Sequence, residues 1–331
     1  MKPQNHATRE VVNLDGLFAF KMDTGRAGLS EQWFARPLET SLEIGVPASY
    51  NDLFTDQAIR DHVGYVWYQR EVHVPRGWDG SRIFVRLDAA THEGLVYVND
   101  HLVAHHVGGY LPFEVDITEQ VSAGQSFRLT IAVNNELTQA TIPPGTIEVA
   151  ADGRRQQKYL HDFYNYSGLH RSVWLFSVPD IRVEDVTVVT GFSGSTGSVD
   201  YTVDVANVTD GHSVSVALSD ATGAVVATAE GAAGTLAIGD VVLWQPGAAY
   251  LYTFTAEMRA DGELVDTYSL PVGVRTVEVR GHQFLINGEP FHFTGFGMHE
   301  GHVTIGKGHS NAAMVNDFQH LGWIDANSFG T

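Results

Sequence analysis

The sequence predicts a mainly β protein in which two β-sandwiches are followed by a strand–helix–strand unit. Short runs of alternating apolar and polar residues fill residues 64–136. Similar runs, richer in Val, Thr, Gly and Ala, recur between residues 199 and 258. After residue 310 the spacing of apolar residues changes to that of a helix. These three observations predict the fold class. Alternation of apolar and polar residues is typical of strands, and apolar residues three or four positions apart are typical of a helix.

The first region is predicted to be an antiparallel sandwich. Apolar residues alternate with others over Gly64–Pro75 and again over Ile83–Leu87, which is typical of half-buried strands. Turn residues separate such runs at Asn99-Asp100 and at Ser122-Ala123-Gly124. No helical spacing interrupts them, so the strands follow one another as in a sandwich and not as in βαβ units.

A second sandwich is predicted to begin near residue 180. Pro179-Asp180-Ile181 follows the apolar run Trp174-Leu175-Phe176, and aromatic residues are scarcer beyond it. Strand-like runs then recur at the intervals of a small sandwich, and Asp261-Gly262 is predicted to form a hairpin turn between two of them. An immunoglobulin-like fold of about 100 residues fits this pattern.

The third region starts near residue 278. Asn287-Gly288 sits between apolar runs and predicts another hairpin. A helix is predicted from Asn311 to Leu321, with one apolar face made of Met314, Phe318 and Leu321. Ala326–Phe329 is predicted to be a short buried strand, which completes a βαβ unit. Only 54 residues follow residue 277, whereas a closed (β/α)8 barrel takes about 250, so this region is expected to be a stub.

Composition disfavours several kinds of partner. The chain has 331 residues, more than one core usually holds, and a net charge of −19. This charge disfavours nucleic acid and anionic membranes as partners, since no local run of Lys or Arg offsets it. The sequence contains no Cys, which excludes disulfides and thiolate sites. A polar start at Met1–Asn13 and the lack of a long apolar window favour a cytoplasmic protein.

The segment His161–Arg171 carries the densest group of aromatic and polar side chains. Aromatic faces stack on sugar C–H groups while Asp and Asn bind hydroxyls, so the segment is a candidate sugar site. A loop at a strand edge with buried aromatic residues has the same composition. The residues alone leave both interpretations open.

Four segments resemble glycoside hydrolase family 2, and they occur in the family's order: HDFYNYSGLHR (161–171), QFLINGEPF (283–291), TGFGMHE (294–300) and LGWIDANSF (321–329). The similarity covers nearly the whole chain and is greatest to members that hydrolyse β-D-glucuronides. It implies a jelly-roll, sugar-binding-like domain over residues 1–179 and an immunoglobulin-like sandwich over 180–277. Residues 278–331 then form the first βαβ part of a (β/α)8 barrel, truncated early.

The resemblance also implies an activity for the complete enzyme, which is retaining hydrolysis of a glucuronide or related β-glycoside without a cofactor. Asp162, His299 and Glu300 match substrate-binding positions, and His299 lies where barrels place functional groups, at the carboxyl end of a strand. The two catalytic glutamates and the Asn-x-Lys element for the sugar carboxylate are expected beyond Thr331. We therefore expect no catalytic residue in this chain, no activity from it alone, and a homo-oligomer for the complete enzyme.

Other interpretations are a non-catalytic carbohydrate-binding protein, a scaffold for a partner, or a β-galactosidase-type specificity. Two further patterns carry little weight. Gly301–Gly308 has the glycines and the lysine of a phosphate-binding loop, but Gly308 stands where a hydroxyl must bind magnesium. The 16 histidines lack the spacing of a zinc-binding helix, so no metal is expected.

Overall fold

The computed structural model describes residues 1–209 and 211–330. Thr331, which the predicted third domain includes, lies outside these residues. The described residues form two compact units. One unit comprises residues 12–177 and 299–319, and the other comprises residues 1–11, 178–298 and 320–330.

The first sandwich contains two sheets, one hairpin and two short helices. Its strands are β1 (Glu10–Asn13), β2 (Gly16–Met22), β3 (Leu42–Val46), β4 (Tyr65–His73), β5 (Arg82–Leu87), β6 (Glu93–Val98), β7 (His101–Val107), β8 (Phe113–Asp116), β9 (Ser126–Asn134), β10 (Gly145–Val149), β11 (Arg155–Tyr159) and β12 (Val173–Val178). Helices α1 (Tyr50–Leu53) and α2 (Gln57–Arg60) follow β3. One sheet is antiparallel with the order β3-β2-β4-β9-β6-β7. The other has the order β1-β12-β5-β8, and β10 pairs with β11.

The core of this sandwich lies between the two sheets. On β5, Ile83, Val85 and Leu87 are buried, while the residues between them are partly exposed. Phe20 and Ile131 of the six-stranded sheet belong to the same apolar cluster. The alternation in the sequence therefore predicts the buried face of β5 correctly, because successive strand residues point to opposite faces.

The second sandwich is immunoglobulin-like. Its strands are β13 (Arg182–Ser193), β14 (Thr196–Ala206), β15 (His212–Ser219), β16 (Val225–Glu230), β17 (Ala233–Ile238), β18 (Tyr252–Ala260) and β19 (Glu263–Val272). A sheet of order β13-β14-β17 and a sheet of order β16-β15-β18-β19 enclose a core that includes Val199 and Phe254. Asp261 (φ 49°) and Gly262 (φ 86°) join β18 to β19, which confirms the predicted hairpin turn.

The first eleven residues belong to the unit of the second sandwich. Gln4 Nε2 donates a hydrogen bond of 2.6 Å to the carbonyl of Ser269, and Arg9 Nε donates one of 2.9 Å to Asp266 Oδ1. The predicted range of 1–179 differs from this packing at its N-terminal end. The N-terminal segment packs on the second sandwich because Arg9 forms an ion pair with Asp266, whose carboxylate is fully buried there.

The third region contains β20 (Val277–Arg280), β21 (Gln283–Ile286), β22 (Glu289–Pro290), β23 (Gly295–Gly297), α3 (Asn311–Trp323) and β24 (Ser328–Gly330). Asn287 (φ 54°) and Gly288 (φ 81°) form the predicted turn between β21 and β22. β23 and β24 pair in parallel with α3 between them in the chain, which confirms the predicted βαβ unit.

Burial in this region differs from the prediction. The buried strand predicted over Ala326–Phe329 begins only at Ser328, and Phe329 is 45% exposed. The apolar face of α3 is also open, since Met314 is 38% and Phe318 is 43% exposed. Among the described strands β24 pairs with β23 alone, so no wider sheet buries these side chains. Within residues 1–209 and 211–330, no helix is long and apolar enough to cross a membrane.

Candidate substrate-binding site

The segment 161–171 connects β11 to β12 and is fixed by Asn51 at the start of α1. Asn51 is buried, and its Nδ2 donates a hydrogen bond of 2.7 Å to the carbonyl of Asn165. Its Oδ1 accepts a bond of 3.0 Å from the backbone N–H of Ser167. Tyr164 adds a bond from its hydroxyl to the carbonyl of Asn51. The middle of the segment is thus held by buried hydrogen bonds and not by regular secondary structure.

Two buried histidines, His92 outside the segment and His170 within it, form further hydrogen bonds that hold it. His92 Nε2 donates a 2.6 Å hydrogen bond to Asn165 Oδ1, and His170 Nδ1 lies 2.7 Å from Thr91 Oγ1. Gly168 pairs with Thr91 as an isolated antiparallel bridge. His170 is only 1% exposed. Burial, followed by the positive charges of Arg171 and Lys307 and by His92, lowers the pKa of His170 to about 3.

This pKa makes the stability of the first sandwich depend on pH. Between the ordinary pKa of histidine, about 6.5, and the folded value of about 3, the unfolded chain binds a proton that folded His170 does not. The contribution of His170 is therefore fully present above about pH 6.5 and is lost by about 1 kcal/mol per pH unit below it.

Urea unfolding of the chain between about pH 7 and about pH 5 tests this expectation. We expect the free energy of unfolding of His170→Gln to fall less steeply than that of the wild type as the pH is lowered. His320→Gln, at an exposed position of α3, is the matched control. Equal slopes for His170→Gln and the wild type would contradict the assignment.

A lysine from the third region lies against the aromatic residues near this segment. Lys307 Nζ is 5.2 Å from the ring centroid of Tyr110 and 5.7 Å from that of Phe163, both within cation–π range. The Lys307 backbone N–H donates to Ser49 Oγ at 3.0 Å. No ion pair joins Lys307 to a carboxylate within residues 1–209 and 211–330. Lys307 therefore ties the loop after β23 to the residue that follows Asp162.

The three residues predicted to bind substrate are all exposed. Asp162 lies between His161 and Phe163, whose rings are 4.2 Å apart. His299 comes two residues after β23, and Glu300 forms a 3.7 Å ion pair with Arg171. The structure thus brings the segment of Asp162 and that of His299 and Glu300 to one place. Whether the three side chains bind substrate stays a prediction.

Side chains that the sequence did not assign to this site hold it together. Asn51, Tyr110 and Lys307 lie about 60 to 260 residues away from one another in the chain, and no local spacing connects them. Across the part of the chain that the structure describes, no group of three His, Asp or Glu residues is arranged to hold a metal ion.

Comparison with known proteins assigns a family to each region. Residues 11–179 match the family description "Glycosyl hydrolases family 2, sugar binding domain", and residues 181–275 match "Glycosyl hydrolases family 2". Residues 277–331 match "Glycosyl hydrolases family 2, TIM barrel domain". The three matches follow the order of the two sandwiches and the βαβ unit, and they support the jelly-roll, immunoglobulin-like and barrel interpretation.

Individual relatives agree with this family. The chain is 45% identical to a beta-glucuronidase of Paenibacillus borealis and 41% identical to that of Homo sapiens. Both matches cover 99% of this chain but only 56% and 54% of those proteins, so the chain spans about half their length. The crystal structure of Ruminococcus gnavus beta-glucuronidase matches with a TM-score of 0.96 and 35% identity, over 99% of this chain and 56% of that one. The chain therefore belongs to glycoside hydrolase family 2.

Proposed function

We propose that this chain is part of a β-glucuronidase, a retaining hydrolase of β-D-glucuronides. In the complete enzyme, Asp162 and His299 contact the sugar, with Glu300 beside them. The acid/base and nucleophilic glutamates come from beyond Thr331. Residues 1–331 by themselves therefore form part of the substrate site but do not hydrolyse glycosides.

The proposal rests above all on the agreement among relatives. Beta-glucuronidases from a bacterium and from mammals share 39–45% identity with this chain over 99% of its length. One solved relative, from Ruminococcus gnavus, is a complex with D-glucuronic acid and has a TM-score of 0.96 to this chain. The meeting of the Asp162 segment with the loop after β23 adds geometric support.

The role proposed for these residues is to position the sugar. Retaining hydrolysis needs two carboxyl groups about 5–5.5 Å apart on either side of the scissile bond. An exposed carboxylate at Asp162 accepts hydrogen bonds from sugar hydroxyls, and the imidazole of His299 contacts the ring from the strand end. Holding the sugar in this way places its anomeric carbon between the catalytic groups, which is a contribution of orientation.

A hydrolysis assay tests the proposal. We expect no cleavage of a chromogenic β-D-glucuronide by residues 1–331, and cleavage by the same chain extended with the remaining barrel of a related beta-glucuronidase. In the extended protein, Asp162→Ala is expected to lower kcat/KM by about tenfold to a hundredfold. Asp152→Ala, on the exposed turn between β10 and β11, is the matched control. Cleavage by residues 1–331, or full activity of Asp162→Ala, would contradict the proposal.

The same assay separates the other interpretations. Because the elements for sugar specificity come with the added barrel, a second extended protein carries the barrel of a β-galactosidase, and activity of this protein on a β-D-galactoside, with no activity of the first on the glucuronide, would favour the β-galactosidase-type specificity. An extended protein that binds sugar saturably without cleaving either substrate is a carbohydrate-binding protein. An extended protein that neither binds nor cleaves is a scaffold.

A further inference from the structure

The glycine-rich stretch 301–308, which resembles a phosphate-binding loop in sequence, is packed against the first sandwich. It lies within a docking loop, residues 299–309, that belongs to the compact unit of this sandwich. The backbone N–H of Ser49 donates a 3.0 Å hydrogen bond to the carbonyl of Ile305. Ser49 Oγ accepts another of 3.0 Å from the N–H of Lys307. Two hydrogen bonds to one residue of the sandwich therefore hold the docking loop.

Two glycines of the docking loop are required by this packing. A Cβ atom at Gly308 would lie 2.8 Å from the carbonyl oxygen of Pro47 and 2.9 Å from Cα of Ala48, and these backbone atoms cannot rotate away. Gly306 has a φ of 60°, and a Cβ atom there would lie 2.8 Å from Cβ of Ser49. The close approach of two backbones therefore explains the glycine spacing, and a phosphate ligand is not needed to explain it.

The lysine between these glycines points its ammonium group at two aromatic rings. Lys307 Nζ lies 5.2 Å from the ring centroid of Tyr110 and 5.7 Å from that of Phe163. A cation within about 6 Å of the face of a ring is attracted by the ring quadrupole, and more strongly where water is partly excluded. The side chain of Lys307 is only partly exposed. Its ammonium group therefore favours one position of the Phe163 ring.

Asp162 depends on such ring contacts because no hydrogen bond holds it. Among the described residues, neither its backbone nor its carboxylate forms a hydrogen bond or an ion pair. Its neighbours are held by their rings. His161 stacks on Tyr159 with centroids 5.1 Å apart, and Phe163 lies 4.2 Å from His161 and also contacts Lys307. The position of the carboxylate therefore follows from the rings on either side of it.

We propose that Lys307 is a positioning residue for the carboxylate of Asp162, acting through the ring of Phe163. The inference rests on the proposed function, because it requires Asp162 to contact the sugar. His299 is the first residue of the docking loop, so the loop that carries it also carries the lysine that fixes the neighbour of Asp162. The docking loop thus gives the two sugar-contacting residues a common support.

Kinetics of the extended protein test this role. Lys307→Met keeps an unbranched side chain and removes the charge, and we expect it to lower kcat/KM for the chromogenic β-D-glucuronide by about threefold to thirtyfold. Lys307→Arg keeps a cation over the rings and is expected to restore most of the activity. Lys21→Met, which removes a lysine 4.1 Å from the ring centroid of Trp33, is the matched control and is expected to have wild-type activity.

A double-mutant cycle shows whether Lys307 acts through Asp162. We expect the double variant Asp162→Ala, Lys307→Met to have a kcat/KM within about twofold of that of Asp162→Ala alone. The reason is that the position of the segment no longer matters once the carboxylate is absent. Two independent roles would instead multiply the two losses.

A measurement on residues 1–331 alone needs no hydrolysis. Fluorine NMR of the chain labelled with 4-fluorophenylalanine reports on the ring of Phe163, whose resonance is identified by its loss in Phe163→Leu. We expect Lys307→Met to shift this resonance, and Lys21→Met to leave it in place. Unchanged thermal unfolding of Lys307→Met confirms that the variant is folded.

Four results would overturn this inference while the hydrolase proposal stands. They are wild-type kcat/KM in Lys307→Met, a loss that Lys307→Arg does not restore, multiplied losses in the double variant, and an unchanged Phe163 resonance in Lys307→Met. Inactivity of the extended wild-type protein is a different result. It would overturn the hydrolase proposal, and this inference with it.

Discussion

Replacing Asp266 with alanine is expected to lower the free energy of unfolding of the second sandwich by about 3–5 kcal/mol. Asp266 is fully buried and accepts hydrogen bonds from Arg9 Nε (2.9 Å), Arg9 Nη2 (2.5 Å), the Val183 backbone N–H (2.8 Å) and Thr8 Oγ1 (2.9 Å). Removal of its carboxylate leaves the guanidinium of Arg9 buried without a counter-charge. It also leaves the N–H of Val183 without a partner.

Urea unfolding and hydrogen exchange over β13–β19 measure this loss. Asp204→Ala, on an exposed face of β14, is the matched control and is expected to change stability by no more than about 0.5 kcal/mol. The double variant Arg9→Met, Asp266→Leu removes both charges and fills the space with apolar atoms. We expect it to recover part of the lost stability, since buried ion pairs are often replaceable by apolar groups. A loss below about 1 kcal/mol for Asp266→Ala would contradict the buried pairing.

The second large effect is expected for Asn51→Ala, in the first sandwich. This change removes the donor to the carbonyl of Asn165 and the acceptor for the N–H of Ser167, both of which are buried. Each buried group left without a partner costs about 1–3 kcal/mol. We therefore expect a marked loss of stability together with faster hydrogen exchange in the segment 161–171.

Hydrogen exchange resolved by peptide separates this local effect from general destabilisation. Gln57→Ala, at an exposed position of the neighbouring α2, is the matched control and is expected to leave the exchange of the segment unchanged. If Asn51→Ala exchanges no faster than the wild type over 161–171, Asn51 does not hold the segment.

Local signals in the sequence predict most of the fold. The turns at Asp261-Gly262 and Asn287-Gly288 are correct because a two-residue hairpin demands left-handed backbone that these residue types accept. The alternation over Ile83–Leu87 is correct because strand period and burial coincide there. The predicted burial of Ala326–Phe329 is wrong, because the exposure of Phe329 depends on which elements cover β24, and the local sequence does not specify them.

The site is less predictable than the fold. The sequence identifies the segment 161–171 as unusual but leaves open whether its side chains bind sugar or fill a core. The structure separates these side chains into two groups. Asn165 and His170 are buried and hydrogen-bonded, whereas Asp162 is exposed. The contact of Lys307 with Phe163 joins residues 144 positions apart, and no sequence period encodes such a pair.

The pairing of Arg9 with Asp266 also has a consequence for the order of events during synthesis. The two residues are 257 positions apart, so Arg9 emerges from the ribosome long before its partner is made. At about 5–20 residues per second, roughly 13 to 50 s separate them. Throughout that interval the N-terminal segment has nowhere to dock, although the first sandwich is already available to fold. Completion of the second sandwich therefore requires Arg9, which is made long before Asp266, to pair with it once β19 has been synthesised.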